Sequence, residues 1–533
     1  MKFTQSSWAA VAAALMVAAC GGGDGGNAGS TNANPARGAL MQSPPVRTVS
    51  LTAADFTTEL SASKDGLGAL KLSTGSTAVP LPCGVDIQQI KYGTVGGKGE
   101  PTTASGALMV PTGLDTKCNG DRPILLYGHG TSITKRYNMA DIIDTTNPAY
   151  KEAILLASLF AAQGYIVVAP NYAGYDSSTL PYHPYVNADQ QSKDMIDALA
   201  AAKAALPTLL HPTTASSKLF VSGYSQGGFV AMATVKAMQA ATPPTLVTAM
   251  APMSGPYALN AYMDAIFLGH VPAGSTAFAP LLVNSYKNSY PNLTIYSTPS
   301  DVYESAYVSG IESLVPGNYD FTTVYSSGKL PQTYLFNNVL ETAYAPYAGI
   351  SPPTGTGATD ALFALGFGNT NLVKNSYRFN YIADALANSD NVLASPPTTY
   401  QPPATPGIDI RKALVLNDLR NFVPTSPALL CGGSGDPTVF YSVNTSVVAG
   451  LWTAKSVANW TVLNLESSVS PGLGSTAAGA SAYQGLFAQA KLDFIAALPA
   501  GADAVTELTK SYHGTLVPPY CSRAAKDFFD PKV

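Results

Sequence analysis

Charge is scarce in this chain. Acidic and basic residues make up only 12% of its 533 positions and nearly cancel, leaving a net charge of -4, so no basic field exists to gather nucleic acid or an anionic membrane. Histidine occurs five times, so imidazole chemistry has few candidates. Cysteine also occurs five times, and no pair has the close spacing of a zinc site. Long apolar runs are missing. The one N-terminal stretch, Trp8 to Val17, is too short for a retained transmembrane helix, and no other span is a candidate. Glycine (47), proline (40) and tyrosine (29) are plentiful, which implies many turns and an aromatic-lined surface or cleft. A chain this long exceeds one simple core, so one large domain with an insertion, or two domains, is expected.

The N-terminus has the pattern of a targeting segment. Lys2 supplies a positive start and Val17-Ala18-Ala19-Cys20 resembles the lipobox of bacterial lipoproteins, whose cysteine becomes the lipidated first residue. Residues 1–19 are therefore read as a lipoprotein signal peptide and 20–45 as a flexible tether rich in Gly, Asn and Ser. An ordinary secretory signal is the alternative, and either implies export. Membrane contact is expected through a lipid on Cys20 alone, with the protein on the outer membrane or otherwise periplasmic or secreted. In an oxidising compartment Cys83, Cys118, Cys431 and Cys521 allow two disulfides in three pairings. Cys83 with Cys118 and Cys431 with Cys521 is the preferred set, each closing a long loop.

From Cys83 onward two alternating strands, VDIQQIKYGTV and TTASGALMVP, open a sheet. Buried strands follow at Pro123 to Tyr127, YIVVAP, Leu219 to Val221 and TLVTAMAPMSGP, separated by helical segments at Tyr150 to Gln163 and Ala188 to Ala205. That alternation implies a mostly parallel sheet flanked by helices. Residues 46–256 are read as the first part of this core. Between 257 and 425 the rhythm stops, and Pro, Asn, Ser and about half of the 29 tyrosines gather there; this stretch reads as a mostly helical cap insertion. Residues 426–533 resume the core, with WTVLNLE or AVTELTKSY as its last strand and SYHGTL as a loop before a final helix.

The chemistry centres on Gly223-Tyr224-Ser225-Gln226-Gly227, where a buried strand meets a helix. A serine on such a turn needs neighbours without side chains two positions away, so that strand and helix can approach. Its hydroxyl also needs a base. His129, His183 and His211 precede it and His270 opens the insertion, so His513, far downstream beside Gly514, is the candidate. A carboxylate must orient that imidazole; Asp436, after the strand Pro427 to Cys431 and Gly432-Gly433-Ser434-Gly435, fits best, although Asp before Pro437 is also a good helix cap. Negative charge developing on a substrate oxygen would meet the backbone N–H groups of Gln226 and of Thr131, the latter following His129-Gly130.

Gly-His-Gly after an early strand, GYSQGG at the turn, GGSGD after a late strand and YHG near the end resemble the α/β-hydrolase superfamily, and within it the secreted lipase/esterase group that includes secretory lipases of the lipase A type. The resemblance implies an α/β-hydrolase fold with a large cap, Ser225 as nucleophile, Asp436 as acid and His513 as base. It further implies two-step acyl transfer on a small-molecule or lipid-like ester, with no metal or organic cofactor; a nucleic-acid partner is excluded by the low charge. Two rivals keep the fold: a serine peptidase of the prolyl-oligopeptidase kind, against which no propeller-like repeat lies upstream, and a surface binding protein that has lost catalysis.

Overall fold

The computed structural model describes residues 35–74, 80–353, 360–393, 400–467 and 474–533. The signal peptide, Cys20 and the first part of the tether lie outside the described residues. Ten strands form one sheet: β1 (Val46–Leu51), β2 (Gly84–Val95), β3 (Pro101–Thr112), β4 (Gly120–Gly128), β5 (Ile166–Pro170), β6 (Thr213–Tyr224), β7 (Ala249–Met253), β8 (Ala428–Gly432), β9 (Trp460–Asn464) and β10 (Ser475–Thr476). Their order is β1-β2-β3-β5-β4-β6-β7-β8-β9-β10. The first three strands and the β3–β5 contact are antiparallel, and from β5 to β10 every pairing is parallel.

The central strands are covered on both faces. Ile124 to Leu126, Ile166 to Ala169, Phe220, Val221 and Ala249 to Ala251 are almost wholly buried, as two-sided coverage by crossover helices requires. Helix Ala188–Ala205 starts where the Asn187 side chain accepts the Gln190 N–H, a normal N-cap. Helix Gln226–Ala240 packs on β6 and β7, and its Phe229, Met232, Val235 and Met238 are buried.

Several segments depart from the sequence reading. Residues 37–41, read as tether, pair along β2 through Gly38 N–H to Gly93 O and Met41 N–H to Lys91 O, and Arg37 bridges to Asp197 at 2.9 Å. Strand β1 and helices Ala53–Ala62 and Lys64–Thr74 precede Cys83 where no element was expected. AVTELTKSY is not a strand: Asp503 caps it at the Val505 N–H and it runs as helix Ala504–Ser511. SYHGTL is no loop either, because Tyr512–Leu516 forms a π-helical turn leading into helix Val517–Phe529. Among the described residues the segment between β7 and β8 adds no strand to the sheet and consists of short helices and connections. No described helix is long and apolar enough to cross a membrane.

Two disulfides join Cys83 to Cys118 and Cys431 to Cys521. The second connects β8 to helix Val517–Phe529. Removing either bond by paired Cys→Ser substitution is expected to lower unfolding free energy by about 4 kcal/mol in the chain-entropy account. Urea unfolding checks this, and only the Cys431/Cys521 pair is expected to lower activity as well.

Candidate active site

All the candidate side chains gather beyond the C-terminal ends of the parallel strands, where open α/β sheets place their crevices. Strand β6 passes into helix Gln226–Ala240 through Ser225, whose backbone is held at φ 58° and ψ -123°. That is a strained conformation for a residue with a side chain. The turn closes because a Cβ at Gly223 would overlap the Gly227 carbonyl, and one at Gly227 would overlap the Gly128 carbonyl at the end of β4.

Ser225 stands where a serine usually caps a helix, yet its hydroxyl makes no capping bond. Its Oγ lies 2.8 Å from His513 Nε2, and His513 Nδ1 lies 2.6 Å from Asp436 Oδ2. With Nδ1 donating to the carboxylate, Nε2 is left to accept the serine proton. Asp436 uses its other oxygen, Oδ1, to accept the N–H groups of Thr438 at 2.9 Å and Val439 at 3.0 Å. The cap role and the histidine contact thus sit on separate oxygens of one buried carboxylate. Tyr224, within the turn, donates its hydroxyl to the His513 carbonyl at 2.6 Å.

The loop after β4 supplies the second wall. The His129 carbonyl accepts the Tyr172 hydroxyl at 3.1 Å, the Gly130 N–H points at the Glu152 carboxylate at 3.2 Å, and the Gly130 carbonyl lies 2.6 Å from His129 Nδ1. A trans peptide sets its N–H opposite its carbonyl, so pinning Gly130 O turns the Thr131 N–H the other way. Neither the Thr131 N–H nor the Gln226 N–H has a partner among the described residues, and both residues line one pocket with Ser225. The Gln226 side chain is held by His183, whose Nε2 accepts its amide at 2.7 Å while Nδ1 donates to Ala173 O at 2.8 Å.

The structure therefore brings Ser225, Asp436 and His513 into one hydrogen-bonded row flanked by Thr131 and Gln226. The other histidines do not join this row. His129 is stacked between Tyr137 and Tyr172, His183 braces Gln226, His211 accepts the Thr213 N–H and His270 stacks on Phe363. Sequence reasoning missed Tyr224, Glu152 and His183 as parts of the site; Tyr224 lay within the motif itself, whereas the other two carry no local signal. Among the described residues no group of three or more His, Cys, Asp or Glu side chains is placed to hold a metal.

The chain has the α/β-hydrolase fold. Residues 153–258 match the model of the prolyl oligopeptidase family, while no curated protein sequence matches the chain. Among solved structures it is similar to LipA, the rice cell wall degrading esterase of Xanthomonas oryzae, with 24% identity and a TM-score of 0.60 over 86% of this chain and 100% of that one. It is similar at 19% identity and a TM-score of 0.60 to a Legionella pneumophila protein provisionally termed a hydrolase, over 92% of this chain and 98% of that one. Candida antarctica lipase A aligns at 13% identity with a TM-score of 0.45, over 80% of this chain and 76% of that one.

Burial lowers the pKa of His129 to about 4 and that of His183 to about 3. Both folded values lie below the unfolded value near 6.5, so as pH falls below about 6.5 the unfolded chain takes up protons that the folded chain refuses, and stability drops. Near pH 5 the two together are expected to give a slope of roughly 2 to 3 kcal/mol per pH unit. Buried Asp194, raised to about 6, opposes it. Urea unfolding between pH 7 and 4.5 checks this, and His183→Gln is expected to remove about half of the histidine contribution.

Proposed function

We propose that the protein hydrolyses carboxylic esters through an acyl-enzyme on Ser225. The observation that carries this reading is the row from Ser225 Oγ to His513 Nε2 and from His513 Nδ1 to Asp436 Oδ2, at 2.8 and 2.6 Å. The likeness of the fold to an esterase supports it. In this reading His513 takes the serine proton as Oγ bonds to the acyl carbon. The oxyanion meets the Thr131 and Gln226 N–H groups, the second at a helix N-terminus. The carbon–alkoxide bond then breaks, and His513 returns the proton to the departing alcohol. Water attacks the acyl-enzyme with His513 again as base, releasing the acid and restoring the serine.

The pocket beside Ser225 favours an apolar acyl group. It has a volume of about 90 Å3 and is walled by Leu259, Met263, Ile266, Phe278 and Leu282 from the 257–425 insertion. This is a role for that insertion as a cap over the 46–256 and 426–533 core. On the other side Ser225 opens to a wider cavity of about 1680 Å3, which also takes in Thr131, Glu152 and His513 and would leave room for the alcohol. Export fits the two disulfides. Lipid attachment at Cys20 belongs to the same proposal, and radiolabelled fatty acid incorporation into that cysteine tests it.

Ser225→Ala and His513→Ala are each expected to lower kcat for p-nitrophenyl butyrate by roughly 10^4-fold or more while leaving the thermal unfolding curve in place. Wild-type turnover in either variant would overturn the assignment. On a series of p-nitrophenyl esters, Met263→Trp is expected to cut kcat/KM for medium acyl chains about 10-fold while sparing the acetate; equal effects on both would remove the acyl group from this pocket.

The family match over residues 153–258 favours one second reading, a serine peptidase. A proline p-nitroanilide compared with the butyrate ester separates the two, and preference for the amide would decide for the peptidase. A chain that cleaves neither, and that a fluorophosphonate does not label at Ser225, would instead be a binding protein on this fold.

A further inference from the structure

Glu152 is the third residue of helix Tyr150–Leu159, and an acid there would ordinarily be read as a partner for the helix dipole. Its carboxylate is occupied otherwise. Oε1 accepts the Tyr127 hydroxyl at 2.8 Å, Oε2 accepts the Tyr137 hydroxyl at 2.8 Å, and both oxygens lie 3.2 Å from the Gly130 nitrogen. These donors come from β4 and from the loop that follows it. Glu152 also lines the cavity onto which Ser225 opens. Three donors converging on one carboxyl group match its ionised, acceptor-only form, although burial pushes its pKa upward.

The position of Gly130 gives this anchoring its consequence. A Cβ on Gly130 would stand 3.8 Å from the Ser225 Cβ, so the loop passes directly over the nucleophile. Glycine adopts either hand of backbone with little cost, and a rotated Gly130 would present its own N–H, or a carbonyl, in place of the Thr131 N–H. Building on the ester-hydrolase reading above, we propose that Glu152 is a positioning residue for the oxyanion hole: it holds the Gly130 N–H back and, with His129 on the Gly130 carbonyl, keeps the Thr131 N–H aimed at the acyl oxygen on Ser225. Glu152 touches no reacting atom in this arrangement. Its effect passes through one glycine to the neighbouring peptide.

The test compares wild type, Glu152→Gln, Tyr137→Phe and Ser225→Ala on p-nitrophenyl butyrate and measures inhibition by an alkyl trifluoromethyl ketone, whose serine adduct carries an oxyanion. Removing one oxyanion donor outright costs about 10^2- to 10^3-fold in kcat, so misdirecting one in Glu152→Gln is expected to lower kcat roughly 10- to 100-fold. KM should stay within about 2-fold, because the effect is confined to the transition state, and affinity for the ketone should fall by the same factor as kcat/KM. Tyr137→Phe keeps the carboxylate and removes one of its anchors; it is expected to show the same pattern at roughly 3- to 10-fold and carries the test if Glu152→Gln does not fold. Unchanged kcat, or a kcat loss with ketone affinity unchanged, would overturn the role of Glu152. Wild-type turnover by Ser225→Ala would instead overturn the ester-hydrolase reading itself, so the two failures are distinct.

Discussion

The geometry of the candidate site depends on the packing of Gly223 and Gly227 against each other and against the Gly128 carbonyl, where neither has room for a Cβ. A chain leaving β6 must turn into a helix within a single residue, and it does so only because neither position two residues from Ser225 carries a side chain. Ser225 absorbs the turn at positive φ, a cost of about 1 to 3 kcal/mol that the surrounding buried strands offset. Three other placements follow from that contact. The serine hydroxyl stands clear of its own helix, the first N–H of that helix is left without a partner, and the end of β4 is drawn alongside so that the Gly130 loop crosses the same point. Loosening the packing at Gly227 would disperse all of them together.

Around this point the polar groups are matched to a degree that makes the exceptions informative. His129 C=O, Gly130 N–H and Gly130 C=O each meet a specific side chain, leaving the Thr131 N–H as the unmatched member of two consecutive peptides. The imidazoles divide in the same way. His129 and His183 are walled in by aromatic rings and carbonyls, and burial holds them neutral far below the usual histidine range. His513 sits between a hydroxyl and a carboxylate. One side-chain type therefore serves as scaffold in two places and as a candidate base in a third, and the neighbouring groups decide which.

Features set by residues close in sequence were legible before any coordinates. Gly223 to Gly227, the buried runs of β4 to β8 and the turn before Asp436 carry their own signals, and the disulfide pairing agreed with the preference for one bond in each half. Features set by packing were not. AVTELTKSY has the branched residues of a strand, yet the Asp503 cap starts a helix there. The loop expected around His513 became a π-helical turn, which fits a residue that must reach sideways to both Ser225 and Asp436. Arg37 gave no hint of its bridge to Asp197, which lies 160 positions away. Glu152 resembled an ordinary first-turn acid, since its three donors are assembled only when β4 and its loop fold back over the helix.

Residues 257–425 show how rigidity and an apolar pocket can share one segment. Its buried arginines are tied locally: Arg411 to Asp264 and Asp384, each at 2.7 Å, and Arg420 to Asp418 and Asp390, each at 2.8 Å. Arg378 donates to the carbonyls of Phe267 and Ile350 and to the Ser351 hydroxyl, beside the rings of Phe336, Phe367 and Phe379, and burial lowers its pKa to about 9. None of the three lines the pocket beside Ser225. Breaking such buried pairs costs several kcal/mol because it strands a charge, so they fix the insertion without placing charge on the pocket wall. Leu259, Met263, Ile266, Phe278 and Leu282 line the pocket beside the serine, and in the ester hydrolysis proposed above a fixed N–H in such surroundings would stabilise developing negative charge far more than it would in water. In that proposal residues 257–425 would add to the strength of two donors, the Thr131 and Gln226 N–H groups, that they do not themselves supply.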